Sequence, residues 1–216
     1  ASTAFERSQA WQIFSQKGHL KWRQDWRKTD QISVNLKRAV LASEDSGFTQ
    51  HKGVWWESIE KAWRKNASAQ AKLDAQAAKA NGKKNMPKIV GGSTITQQYA
   101  KIAYLKPEQK LSRKVKEVFV ALKVEGAYTK SEILEKYINA VYFGRNAYGL
   151  EMAARKYFGV NASALTPSQS IVLAALVRAP ASYDPEFKPG NLPRLINRFN
   201  GIKKKRSIYK DVPALT

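Results

Sequence analysis

A chain of 216 residues, 43% of them hydrophobic, can bury one sizeable core and is too apolar to be disordered throughout. Lys and Arg outnumber Asp and Glu by 38 to 17, and the net charge of +21 attracts polyanions such as nucleic acid, anionic lipid headgroups or phosphorylated substrates. The absence of cysteine excludes a disulfide framework and thiolate metal sites, and no run of about 18 apolar residues is present to cross a bilayer.

The chain begins at Ala1 rather than Met, so an N-terminal signal or anchor is expected to have preceded it. Residues 1–30 are rich in Trp and basic side chains (Trp11, Trp22, Trp26, Lys21, Arg23, Arg27, Lys28). Such rings either lie against lipid headgroups or pack the segment onto the domain surface. From Ser33, the spacing of Val34, Leu36, Ala39 and Val40 predicts a short helix running into Glu44. Residues 64–88 shift to Ala, Lys, Gln and Asn and offer little to bury, which predicts a mobile or solvated insertion. Gly91-Gly92 breaks the chain, and Thr94 with Gln97 forms a capping box that opens a helix. A second helix is expected from Ser112 with Val115, Val118, Phe119 and Leu122 as its apolar stripe, and a third from Thr129, capped by Glu132 and burying Ile133, Leu134, Tyr137 and Ile138. A turn over 144–149 precedes a fourth through Ala153 and Tyr157. Thr166-Pro167-Ser168-Gln169 opens a fifth that is apolar all round, the pattern of a central core helix. No strand pattern of length, repeat, Rossmann fingerprint or P-loop is present. The predicted class is mainly α.

Three constellations carry chemistry. In 44–53, Glu44 and Asp45 follow a helix and precede a Gly-bounded turn holding Phe48 and His51. Shielding by Phe48 and the helix end would push a carboxyl up toward the working pH of a general base; the bland alternative is a solvated helix end. In 91–101, a Gly pair leads into a helix N-terminus, where free N–H groups and the dipole favour an anion. Thr94, Gln98 and Lys101 share one helical face there, and Ile95, Tyr99 and Ile102 share another. In 113–117, Arg113 and Lys114 stand four and three residues before Glu117. Surface ion pairs explain this spacing, and so does a phosphate site with a second carboxylate beside it.

Taken together, Glu44-Asp-Ser-Gly-Phe-Thr-Gln-His-Lys-Gly53, Gly91-Gly-Ser-Thr-Ile-Thr-Gln-Gln98 and Arg113-Lys-Val-Lys-Glu117 resemble, in order, the first three motifs of the peptidoglycan glycosyltransferases. Lys130–Asn139 resembles the fourth, and Val141–Gly144, Ala147–Gly149 and Tyr157–Gly159 continue the match. The likeness covers roughly residues 30 to 200, without a transpeptidase domain, as in the monofunctional members. It departs at the long Ala-rich insertion, at Gln169 where the family often has Glu, and in a fifth, basic motif only partly legible around Arg194 and Arg198.

The resemblance implies a lysozyme-like helical lobe with a smaller membrane-facing jaw. The implied layout is a membrane-proximal segment over 1–30, a glycosyltransferase domain over 31–200 with its jaw roughly at 54–110, and a basic tail over 201–216. It implies lipid II as substrate, joined to a growing glycan by β-1,4 linkage with inversion and release of polyprenyl pyrophosphate. It implies Glu44 as base and Glu117 as second catalytic carboxylate. Substrate contacts would come from Asp45, His51, Ser93, Thr94, Thr96, Gln97, Gln98, Lys101, Arg113, Lys114 and Lys116. A divalent cation such as Mg2+ would suit the pyrophosphate, though no metal-ligand spacing is visible. The implied location is the outer, periplasmic side of the bacterial inner membrane, with an anionic membrane surface and other cell-wall synthesis proteins as partners.

Three other readings compete, one of them a catalytically silent cell-wall scaffold, which the intact carboxylates Glu44 and Glu117 disfavour. A lysozyme-like hydrolase would also use paired carboxylates, but needs no pyrophosphate site. A nucleic-acid binder would suit the charge and the run Lys203-Lys204-Lys205-Arg206, but no nucleic-acid module is recognisable, and nucleic acid is not expected as a partner.

Overall fold

Local chemistry starts three helices at the residues expected from their caps. Thr94, Thr129 and Thr166 each accept from the backbone N–H three residues on, and Gln97, Glu132 and Gln169 each bond back to the cap N–H. These boxes open α2 (Ile95–Tyr104), α4 (Lys130–Ala140) and α6 (Pro167–Val177). The Gln169 departure is harmless here, because its amide oxygen accepts from Thr166 N–H at 2.9 Å as a carboxylate would. The computed structural model describes residues 25–57, 60, 93–105 and 111–208, with backbone only for 111–113 and 206–208. Trp11, Trp22, Trp63, the 64–88 insertion and Gly91-Gly92 lie outside these described residues.

The remaining helices are α1 (Val34–Glu44), α3 (Leu111–Ala127), α5 (Leu150–Phe158), the short α7 (Pro180–Tyr183) and α8 (Leu192–Ile208). A two-stranded antiparallel hairpin, β1 (Tyr142–Gly144) and β2 (Ala147–Tyr148), is the sheet among the described residues. Its turn residues Arg145 and Asn146 have φ of 48° and 59°, the left-handed pair that a tight two-residue hairpin needs. The mainly α class is as expected, consistent with a lysozyme-like helical domain.

Helix α6 is the centre. Ser170, Ile171 and all residues from Leu173 to Val177 are buried, and α1, α8 and β1 pack around them. The core continues through Leu36, Ala39 and Val40 of α1, Ile133, Leu134, Tyr137 and Ile138 of α4, and Leu150 and Ala153 of α5. Helix α2 packs against α3 and α4. There Val54, Ala100 and Ala121 form a second small cluster. Gly53 makes this approach possible: its φ is +84°, and a Cβ would stand 3.0 Å from the Ala121 carbonyl oxygen.

Two expectations are revised by packing. The stripe on α3 does not face the core, because Val115, Phe119 and Leu122 are exposed and Val118 is half-buried. Helix α3 turns Glu117, Ala121 and Val124 inward, and the Glu117 charge is tolerated there because Lys114 pairs with it. The basic run expected as a solvated tail begins inside α8, which crosses position 200 without a break and buries Ile202. Trp26 packs on the domain, donating its indole N–H to Glu135 at 2.9 Å. Beside it, Arg27 pairs with the buried Glu151 of α5 at 2.9 Å, and its backbone N–H donates to Asn139 at 2.8 Å.

Candidate active site

Glu44 is the last residue of α1, and its side chain is 6% exposed. Its two oxygens have different surroundings. Oε1 accepts from Arg198 Nη2 at 2.9 Å and lies 2.8 Å from the Ser43 hydroxyl. Among the described residues, Oε2 has only a long 3.4 Å contact from the Gln98 amide. The Tyr137 hydroxyl sits 2.9 Å from Gln98 Oε1. Burial, reinforced by the charges of Glu44 and Asp45, pushes Tyr137 well above its ordinary pKa. It therefore stays a donor, which holds the Gln98 carbonyl toward Tyr137 and its amide N–H toward the carboxylate.

From Gln98 a polar chain reaches the second carboxylate. Gln98 Nε2 also donates to the Ser93 carbonyl at 3.3 Å, Lys114 Nζ donates to Ser93 Oγ at 2.8 Å, and the same Nζ meets Glu117 Oε1 at 2.6 Å. Glu117 is buried, while the Lys114 side chain is 40% exposed. The three sequence blocks thus meet through Glu44, Gln98, Ser93, Lys114 and Glu117.

Other expected site residues have different positions. Asp45 and His51 are buried and bonded to each other, with His51 Nε2 at 2.9 Å from Asp45 Oδ2. That same Asp45 oxygen accepts the Ile95 N–H at 2.9 Å. The N-terminus of α2, expected to receive a substrate phosphate, is therefore met by the chain's own carboxylate, which satisfies the same free donor and dipole. Asp45 and His51 do not bond Glu44; they tie the end of α1 to the start of α2. Thr94, Thr96 and Gln97 are likewise buried. Thr94 Oγ1 donates to the Gly53 carbonyl at 2.6 Å, and Thr96 Oγ1 donates to Glu125 at 2.6 Å, where Lys130 also pairs. These three build the scaffold. Lys101 and Lys116 are exposed, and the Arg113 side chain lies outside the description.

Sequence reasoning did not place Ser43, Tyr137 or Arg198 at the carboxylate. Tyr137 reads as a core position by periodicity, and its hydroxyl was the only hint of a second role. Arg198 sits on α8 in the stretch that partly resembles the family's fifth, basic motif, but nothing there marks Glu44 as its partner. A cavity of about 500 Å³ opens beside it, lined in part by Ser43, Tyr183, Arg194, Arg198 and Lys205. Among the described residues no group of three or more His, Asp or Glu is placed to hold a metal ion, so no protein cage for Mg2+ is formed by them.

Comparison with known proteins places this geometry in a family. The family described as "Transglycosylase" matches residues 12–205. A biosynthetic peptidoglycan transglycosylase of Alcanivorax borkumensis is 45% identical over 161 residues, which is 74% of this chain and 59% of that protein. One from an Azoarcus species is 37% identical over 188 residues, covering 87% of this chain and 74% of the relative. One from Nitrosomonas eutropha is 38% identical over 212 residues, 98% and 77% respectively. With a match along nearly its whole length, and with the three blocks joined around two buried carboxylates, the chain belongs to the transglycosylase family.

Proposed function

We propose that this chain is a peptidoglycan glycosyltransferase that polymerises lipid II into β-1,4-linked glycan. The 4-hydroxyl of one lipid II attacks the anomeric carbon of the growing chain, the bond from that carbon to the pyrophosphate oxygen breaks, and configuration inverts. Glu44 takes the hydroxyl proton on Oε2, the oxygen with the weaker claim on it from the protein. The leaving pyrophosphate gains negative charge, which Lys114 is suited to meet from its half-exposed position beside Glu117. Glu117 holds that ammonium in place at 2.6 Å. Arg113, Lys101 and Lys116 supply further cations around the same helices.

The observation that supports this reading best is the polar chain from Glu44 through Gln98 and Ser93 to Lys114 and Glu117. It puts a base and a cation-bearing carboxylate at two ends of one connected site. A hydrolase would use the two carboxylates but would have no need of the ammonium between them.

The layout goes with it: a glycosyltransferase domain over 31–200 and a jaw over roughly 54–110, working on the outer face of the cytoplasmic membrane where its lipid-linked substrate lies. Among the described residues no helix is long and apolar enough to cross a membrane. Exposed Trp56, Val115, Phe119 and Leu122 offer apolar contact to a bilayer surface instead. Incubation with labelled lipid II in detergent is the direct test. Glycan polymer is the expected product; cleavage of preformed glycan without polymer would establish the hydrolase reading.

A further inference from the structure

Arg198 reaches Glu44 from 154 positions away, and its guanidinium is the ion-pair partner of that carboxylate. The contact is more than a chance surface pair. The Arg198 side chain is 17% exposed and Glu44 6%. Nη2 also donates to Ser43 Oγ at 2.7 Å and lies 3.4 Å from the Ser43 carbonyl. Nε donates to the Ala175 carbonyl of α6 at 3.3 Å, and the guanidinium carbon sits 5.4 Å from the centre of the Tyr183 ring. Ser43 is held in turn, its hydroxyl 2.9 Å from the Ala174 carbonyl. Arg198 is thus located by α1, α6 and α7 together, and every one of these contacts fixes the guanidinium relative to Glu44.

We propose that Arg198 is a positioning residue for the transfer reaction: with Ser43 it clamps Glu44 Oε1, so that Oε2 alone is presented to the acceptor hydroxyl. This inference rests on the reading of Glu44 as base. The chemistry requires an asymmetric carboxylate. A base whose two oxygens are equally free can rotate about its terminal torsion and spend its time out of line with the hydroxyl, and small misplacements cost large factors in rate. Arg is suited to the task because its planar fork holds direction as well as charge. Among the described residues, the other charged or titratable groups facing Glu44 are Asp45 at the same helix end and Tyr137 from α4. Gln98 from α2 and the α6 backbone carbonyls are neutral.

The test compares Arg198→Ala, Arg198→Lys and Ser43→Ala with the parent, each confirmed folded by circular dichroism and thermal melting. Arg198→Ala should lower kcat by about ten- to a hundredfold with KM little changed. Arg198→Lys should restore only part of kcat, since it returns the charge without the fork. Ser43→Ala should lower kcat modestly with KM unchanged. A purely structural Arg198 would reduce melting temperature while kcat, read well below the melting transition, stays parental in all three variants, and that result overturns the proposal. If the parent makes no polymer, the glycosyltransferase reading falls. Parental kcat in a folded Arg198→Ala protein, beside a parent that does make polymer, overturns the clamp alone.

Discussion

At the level of single residues, the two carboxylates make different demands on their neighbours. Glu44→Gln keeps the volume of the side chain but leaves nothing to take a proton at Oε2. Polymerisation should fall by about 10²–10⁴, with the helical circular dichroism signal retained. Near-parental turnover in a folded Glu44→Gln protein would remove Glu44 from the role of base. Lys114 is the sharper discriminator between catalysis and structure, because Glu117 is buried and Lys114 is its cation. If the ammonium meets the leaving group, Lys114→Ala should cost about 10²–10³ in kcat and weaken binding of a lipid pyrophosphate. If the pair is only structural, melting temperature falls and turnover does not. Asp45 and His51, expected as substrate contacts, bond each other, and Asp45 also accepts from the α2 N-terminus, while His51 Nδ1 is buried without a hydrogen-bond partner among the described residues. Their replacement should therefore appear in stability as well as in rate.

Between elements, polar contacts complement the apolar core. The segment before α1 is fastened to α4 and α5 through Arg27, whose backbone N–H and side chain reach Asn139 and Glu151. Burial alone would raise the Glu151 pKa, but the Arg27 bond, the Ala162 N–H and Arg155 outweigh it and hold the group at about 2. A carboxylate depressed in the fold stabilises above its unfolded value and loses that contribution as pH falls through the folded one. A depression of this size corresponds to roughly 3 kcal/mol at neutral pH. Melting temperature should accordingly drop as pH is lowered from about 5 toward 2. Glu151→Gln should melt lower at pH 7 and show a shallower drop. Some slope should remain in the variant, because hydrogen bonding from Arg145 also holds Asp184 below the usual carboxylate range. A parent whose stability is flat over that interval would contradict the assignment.

For the molecule as a whole, charge and exposed apolar surface act at different ranges. The net +21 provides attraction to anionic lipid that salt screens. Trp56 and Phe119, 62% and 65% exposed, provide short-range apolar contact that salt does not screen. Trp55 is half-buried, with its ring centre 5.6 Å from that of His51 in an edge-to-face contact, so it contributes less to an outer surface. Co-sedimentation with anionic vesicles should be strong at low salt and weaker at high salt. A Trp56→Ser/Phe119→Ser variant should match the parent at low salt and fall below it at high salt. Failure of the parent to bind at low salt would end the surface-association idea. Equal binding by parent and variant at high salt would end the apolar part alone.

Capping boxes, helical periods and the all-apolar run of α6 were legible from sequence because each is decided within one or two turns of chain. Thr94 with Gln97, Thr129 with Glu132 and Thr166 with Gln169 bond locally wherever the helix is placed. The family likeness of the blocks over 44–53, 91–98 and 113–117 was legible for a related reason: residue type and spacing are read along the chain without the fold. Packing decided what those local signals leave open. It turned α3 so that Phe119 faces out and Glu117 faces in, brought Asp45 to the first N–H of α2, and set α8 so that Arg198 meets Glu44. Helical period identifies two faces of a helix but not which one a neighbour will cover. A long-range ion pair has no sequence signature at either end, because it forms only after α1, α6 and α8 have assembled around one core.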